Sequence, residues 1–447
     1  MTQKIHIVGA GLVGPLMAVY LAKKGFDVTL FERRGDMRKT GVAAGRSINL
    51  AITARGWQSL EEVGLKEQVS AISIPMRGRM VHDIHGGTNL QPYGQKEHEV
   101  IYAASRGQLN IMLLDAAERY KVKVEFGKRC THYDADIGEL VFADEISGQL
   151  EKVKTEVVIG ADGAWSPLRK AMLGRVENFN YSQNFLEYGY KELVIPVEEG
   201  VGFAIEPHAL HIWPRNNYMM IALPNTEGSF TVTLFYPYEG KDSFANLKTK
   251  AEVLAFFKRD FPDAVSVMPT LAEDFFSNPT GALVTVKCNP WHIGGRALLI
   301  GDAAHAIVPF FAQGMNSGFE DCSVLNSLVN TASPDWEAVF SQFNKLRKPN
   351  TDAIADMAVE NFVEMRDSVT NPQFLLKKKV GFELEKRWPG KFIPRYSMVI
   401  FHPGIPYAEA QRRGAIQDKI LDQLCAGISA PEQVNWAEAE KLVKQIG

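Results

Sequence analysis

The stretch Lys4-Ile5-His6-Ile7-Val8-Gly9-Ala10-Gly11-Leu12-Val13-Gly14 decides the fold. An apolar β-like run goes straight into a Gly-x-Gly-x-x-Gly turn, and residues 15–25 then read as a helix ended by Gly25. In such a turn Gly9 permits the tight bend, Gly11 lets backbone approach a pyrophosphate, and Gly14 allows close helix–strand packing. The free N–H groups of the helix start are offered to phosphate. Residues 27–32 read as the second strand, with Phe31 and Glu32 at its end, where a carboxylate holds a ribose hydroxyl. The order of strand, turn, helix, strand and acid makes this a dinucleotide site, which the glycine spacing alone would not.

A chain of 447 residues can bury a large core and hold two interleaved domains plus an appendage. With 46% hydrophobic and 23% charged residues it reads as an ordinary globular enzyme, and a net charge of -3 gives no reason to expect nucleic acid. Cys130, Cys288, Cys322 and Cys425 form no CxxC or zinc spacing, so reduced structural thiols and a cytoplasmic setting are expected, with no metal. Met1 leads almost directly into a core strand, leaving no room for a signal peptide. The apolar stretch 393–408 carries Arg395, His402 and three prolines, so no membrane span is expected.

Further along, Arg33 and Arg34 can neutralise dinucleotide oxygens, residues 53–63 read as an amphipathic helix closed by Gly64, and Arg77 to Asp83 with Pro92-Tyr93-Gly94 flank a hairpin. Arg106 opens a helix that runs to Tyr120. Val157-Val158-Ile159-Gly160-Ala161-Asp162-Gly163 and Arg296 to Asp302 are apolar strands that end on a carboxylate, as parallel strands do beside a ligand. His305 reads as a packed or capping histidine, with an acid–base role as the alternative, while the backbone around Gln313 to Asn316 starts a helix that can face a ligand oxygen. Residues 181–286 alternate as β-strands, residues from 343 onward are mostly helical, and Lys377-Lys378-Lys379 reads as a solvated face. The expected architecture is α/β. A Rossmann-like nucleotide domain (1–74, 100–180, 287–342) carries an inserted β-rich substrate domain (75–99, 181–286) and a helical C-terminal region (343–447).

The N-terminal fingerprint with Glu32, then Arg106, Gly160-Ala161-Asp162-Gly163 and Gly301-Asp302-Ala303-Ala304-His305 together resemble the single-component FAD aromatic hydroxylases of the para-hydroxybenzoate hydroxylase fold. A second Gly-x-Gly-x-x-Gly domain is missing, which suits a reductant that visits and leaves. Within that superfamily the chain resembles the kynurenine 3-monooxygenase family. The resemblance rests on Gly45-Arg46-Ser47-Ile48-Asn49-Leu50-Ala51, Pro75-Met76-Arg77-Gly78-Arg79-Met80, Val308-Pro309-Phe310-Phe311 with Gln313-Gly314-Met315-Asn316, Glu360-Asn361-Phe362-Val363-Glu364-Met365-Arg366, and Phe392-Ile393-Pro394-Arg395-Tyr396.

That resemblance implies hydroxylation of L-kynurenine at the ring carbon ortho to the amine, in tryptophan catabolism. It implies tightly bound non-covalent FAD, NADPH as transient reductant, O2 as co-substrate and oxygen transfer through a flavin C4a-hydroperoxide. It implies that Arg79, Tyr93, Asn361 and Tyr396 hold the amino-acid end of the substrate, with Phe310, Glu364 and Met365 around it. Toward FAD it implies Gly9, Gly11, Val13, Gly14, Phe31, Glu32, Arg33, Arg34, Ala51, Arg106, Cys130, Asp162, Asp302, Gly314, Met315 and Asn316. No general base is assigned, because the ring amine itself activates the ring. Ala312 departs from the family's glycine in the flavin loop. Eukaryotic members of that family carry a C-terminal membrane anchor, whereas the chain looks like a soluble bacterial form, expected without one; a homodimer stays open. Another aromatic hydroxylase, a flavin halogenase and a non-catalytic escort of prenylated GTPases remain as alternatives; no Trp-x-Trp-x-Ile-Pro stretch supports the halogenase.

Overall fold

The computed structural model describes residues 3–40, 49–330 and 333–446, so the Gly45-Arg46-Ser47-Ile48 part of the quoted segment lies outside the described residues. The chain divides into two compact units, Met1–Ser73 with Ala104–Leu186 and Leu283–Ala355, and Ile74–Ala103 with Glu187–Ala282 and Asp356–Gly447. Residues 356–447, read above as part of a helical region of its own, fall in the second unit.

The first unit is built on β1 (Lys4–Val8), whose parallel neighbours are Val157–Gly160 on one side and β2 (Asp27–Phe31) on the other. Ala297–Leu299 and Lys123–Glu125 extend the parallel sheet, and His292–Ile293 closes one edge antiparallel. The central strands are rich in apolar residues, and Ile5, Ile7, Val158 and Leu298 are fully buried, as in a sheet covered on both faces. Between β1 and β2 runs α1 (Val13–Lys23), in which every residue from Gly14 to Leu21 is buried. It therefore shows no polar stripe and is held by packing rather than by propensity. Parallel pairing has a functional consequence. It brings Gly9, Glu32, Asp162 and the Gly301-Asp302 turn, far apart in sequence, to the same carboxyl edge of one sheet.

In the second unit an antiparallel sheet runs from Asn180–Ile195 through Phe230–Pro237, Met219–Pro224 and Leu210–Pro214. Leu210–Pro214 then pairs parallel with Gly78–His82, which forms a hairpin with Thr88–Pro92. Alternate residues of the sheet meet Val253, Phe256, Phe257 and Phe275 from helices Lys250–Asp260 and Leu271–Ser277 in one core. The first of these helices starts with a Thr249–Glu252 capping box, a pairing legible from the spacing alone. Helices Pro372–Arg387, Tyr407–Leu424 and Trp436–Val443 share a second core around Val380, Leu384, Ile420 and Val443. No helix among the described residues is long and apolar enough to cross a membrane.

Candidate functional site

The glycines of the opening turn divide the labour as their spacing demands. A Cβ at Gly14 would lie 1.9 Å from the Gly9 carbonyl oxygen, and one at Gly9 would lie 2.3 Å from the Ala161 oxygen, so both are needed for the chain to close on itself. A Cβ at Gly11 would meet no atom within 4 Å, so the turn keeps open space on that side. Asn110, one turn after Arg106, donates its side-chain amide to the Ala10 and Gly11 carbonyls at 3.1 and 2.8 Å and fixes the turn from behind. No motif named Asn110, although its i,i+4 placement after Arg106 put it on the same helix face.

Glu32 is buried and accepts from the Ala10 N–H at 2.8 Å and from the backbone and Nε of Arg34 at 3.0 and 2.7 Å. Burial alone would raise its pKa, but the Arg34 bonds outweigh this and hold it below the usual carboxylate range. Arg34 thus neutralises Glu32, while Arg33 is exposed and forms no ion pair among the described residues. The Phe31 ring stacks on Phe142 with centroids 4.2 Å apart, so only its backbone, whose carbonyl accepts from Gly9, faces the turn.

At the next strand end Asp162 keeps one buried oxygen without a hydrogen-bond partner, and burial lifts its pKa to about 6. Cys130 lies close enough for the Asp162 charge to add to burial in pushing its thiol up to about 12, which makes it an inert neighbour. Asp302 is exposed, and Arg106 lies near enough for its charge to act on the Asp302 carboxylate.

Helix Gly314–Leu328 starts beside it and leaves its first N–H groups free of helical partners. Gly314 and Met315 are partly accessible there, but the Asn316 side chain is occupied. Its oxygen accepts from the Thr53 N–H at 3.0 Å, and its nitrogen donates to the Ala51 and Ala312 carbonyls at 2.9 and 2.7 Å. Asn316 and Ala51 therefore brace the loop, and the backbone is what faces outward. Ala312 takes φ 53° and ψ 31°, the left-handed conformation a glycine would adopt freely, so the departure from glycine keeps the loop's shape. Phe310 is buried in this unit, next in sequence to Phe311 in a short 3-10 turn.

Open space at Gly11, an exposed Asp302, the Asp162 carboxylate and the start of helix Gly314–Leu328 gather at the carboxyl edge of the sheet. This donor set fits FAD, with Val13 and Gly14 N–H groups at the pyrophosphate end.

The second unit gathers the other candidates. Arg79, 5% exposed, sits in mid-strand opposite Gln91 and donates from Nη1 to Glu364 at 3.0 Å. Tyr93 follows the partner strand and stacks on Tyr396, with centroids 5.4 Å apart and planes 9° from parallel. The Arg79 guanidinium lies 5.1 Å from the Tyr396 ring centroid. Tyr396 is aimed by the first turn of helix Arg395–Phe401, and the Arg395 stem packs where Gly414 has no side chain: a Cβ there would lie 2.4 Å from the Arg395 Cδ.

Helix Trp336–Val363 passes into a π-helical turn at Glu364–Ser368, a distortion common at functional sites. The Asn361 side chain donates to the Met365 sulfur at 3.3 Å across it. Burial works against the Arg79 charge, yet Glu364 keeps the guanidinium firmly protonated; burial pushes the Tyr93 hydroxyl well up and Tyr396 to about 12. Both tyrosines are therefore neutral donors. The Arg79 Nε and the Tyr93 hydroxyl are buried without a hydrogen-bond partner.

One reading of the sequence needs correction. Lys378, taken as part of a solvated run, is half-buried, and burial followed by the nearby Arg79 charge lowers its ammonium to about 8, against the pull of Glu364. The run splits because helical rotation of 100° per residue turns Lys378 inward while Lys379 stays exposed. Among the described residues no group of histidine, cysteine and acidic side chains is arranged to hold a metal.

Comparison with known proteins bears on the family and the fold. A family model described as an FAD binding domain matches residues 2–332. A kynurenine 3-monooxygenase of Myxococcus xanthus is 51% identical, covering 98% of this chain and 94% of the relative. One of Flavobacterium psychrophilum is 46% identical, covering 100% and 98%. Among solved structures, a tetrameric 2-methyl-3-hydroxypyridine-5-carboxylic acid oxygenase superposes with a TM-score of 0.67 at 20% identity, covering 84% of this chain and 95% of its own, which speaks to the fold alone. Sharing about half its residues with such relatives along nearly its whole length, this chain belongs to the kynurenine 3-monooxygenase family of FAD-binding proteins.

Proposed function

We propose that this chain is an NADPH-dependent FAD monooxygenase that converts L-kynurenine, NADPH, a proton and O2 to 3-hydroxy-L-kynurenine, NADP+ and water. The observation that carries the reading is the Arg79 cluster. A buried guanidinium with a partnerless Nε, beside a partnerless Tyr93 hydroxyl, suits a planar anion that satisfies both donors, and the carboxylate of an amino acid is one. Glu364 neutralises Arg79 in the free chain; exchange with the substrate carboxylate would leave Glu364 beside the α-ammonium. Tyr396 and Asn361 would take the remaining lone pairs, and Met365 would give an apolar wall.

Bound FAD would supply electron transfer from NADPH and activation of O2. In this reading the chain's own part is to grip the nucleotide at Gly11, Glu32, Asp162 and Asp302, to orient the amino-acid end of the substrate, and to exclude water. No side chain is assigned to take a ring proton. The reading includes a reducing, cytoplasmic setting, which four buried cysteines without a disulfide support.

The test is NADPH oxidation by the purified flavoprotein with and without L-kynurenine, followed by mass analysis. Stimulated oxidation with one oxygen added to kynurenine is expected. No stimulation would sink the substrate assignment.

A further inference from the structure

Behind the Gly301-Asp302 turn lies a buried charged cluster that none of the motifs accounts for. Asp321, on helix Gly314–Leu328, has no exposed surface. One of its oxygens accepts from the Gly301 N–H at 2.9 Å and from His305 Nε2 at 2.6 Å; the other accepts from Arg347 Nε at 2.7 Å. Arg347 also binds Glu320, which takes Arg55 as well, and donates to the carbonyl and hydroxyl of Ser317 at 3.1 Å each. Two carboxylates and two guanidiniums thus balance, with His305 donating its ring proton at Nε2 and leaving a buried Nδ1 unpartnered.

Stability alone does not account for such a cluster, since apolar side chains of similar volume often do as well. Its geometry points to another use. Gly301 has φ 57° and ψ -144°, a conformation natural only to glycine, and its N–H is held by a charged acceptor. The next residue is Asp302, whose exposed carboxylate makes no hydrogen bond or salt bridge among the described residues. The direction of that carboxylate therefore follows the turn, which Asp321 holds at the Gly301 N–H while the Ala304 and His305 N–H groups hold it at the Gly301 carbonyl.

We propose that Asp321 is a positioning residue for the cofactor: through the Gly301 N–H it fixes the turn that aims Asp302 at the hydroxyl groups of a bound flavin nucleotide, while His305 and Arg347 fix Asp321. This rests on the reading that FAD binds at this sheet edge.

The test uses full-length apoprotein reconstituted with FAD, read by flavin fluorescence quenching, by visible circular dichroism of the bound flavin, and by the thermal midpoint of the apoprotein. D302A and D321N are each expected to weaken FAD by about tenfold, the scale of one charge-assisted hydrogen bond, and the double variant to weaken it no further, because one residue acts through the other. H305L is expected to shift the flavin dichroism and weaken FAD about threefold, whereas H305Q, whose side-chain amide replaces the Nε2 donor, restores both. Should D321N not fold, H305L combined with D302A carries the same cycle.

Additive losses, or an H305L protein whose FAD affinity and dichroism match the unaltered chain, would overturn the positioning role. An unaltered apoprotein that takes up no FAD would instead overturn the functional reading on which it rests.

Discussion

In the first unit the groups offered to a ligand are mostly backbone: glycines that clear space, N–H groups at a helix start and carboxylates at the ends of parallel strands. In the second they are side chains, brought from strand Gly78–His82, the residue after Thr88–Pro92, a π-turn at Glu364–Ser368 and the start of helix Arg395–Phe401. The first kind of site leaves a spaced signature in sequence, because each glycine answers a local steric need. The second leaves scattered arginines and tyrosines that could each be surface or core. The difference predicts how the two respond to substitution.

The largest effect belongs to the backbone site. Gly14→Ala sets a Cβ against the Gly9 carbonyl and is expected to cost more than about 3 kcal/mol, read as failure to fold or a collapse of the thermal midpoint. Gly11→Ala meets nothing and should leave the apoprotein midpoint unchanged while weakening FAD by about tenfold or more. Equal effects of the two would erase the distinction drawn between them.

In the side-chain site, Arg79→Met should raise the dissociation constant of L-kynurenine by about 100-fold, as loss of a buried charge partner does, with the flavin spectrum unchanged. A spectrum that changed as much as the binding would mean that the residue supports the fold.

The two units should also part company with pH. In the second, His82 joins Asp263 and His211 at 2.7 Å each, and burial depresses His211 to about 4. A base with a depressed folded pKa loses stability as pH falls from its unfolded value near 6.5 to about 4, here on the order of 3 kcal/mol. In the first, the raised pKa of Asp162 works the other way: stability rises as pH falls through about 6. Hydrogen exchange of the apoprotein at pH 7 and pH 5 should show protection falling in the second unit and holding in the first. His211→Asn should flatten the acid limb.

Lys378 sharpens the proposed substrate site further. Its ammonium, protonated below about 8, favours an anion, so kynurenine affinity should fall as pH rises through about 8. Lys378→Met is expected to remove that limb at the expense of about threefold in affinity at pH 7. The smallest effect is at Ala312. Ala312→Gly relieves a left-handed alanine and should change stability by no more than about 1 kcal/mol, since glycine also loosens the unfolded chain; flavin binding should be unchanged.

The sequence alone determined the parallel α/β core, the glycine turn at Gly9 to Gly14 and the placing of Glu32, Asp162 and Asp302 at strand ends. Those features follow from local rules: strand periodicity, turn sterics and helix ends act within a few residues. The Arg79 cluster, proposed above for the substrate, was legible only through family likeness, because no local rule separates Arg79 in a strand from a surface arginine. What only the tertiary structure decided is which side chains are free. Asn316 and Phe31 turn out to brace the cradle, Lys378 leaves its solvated run to face Arg79, and Asp321 holds the Gly301 turn from behind. The reason is physical: burial and hydrogen-bond partners come from residues tens to hundreds of positions away, and the chain must fold before they exist.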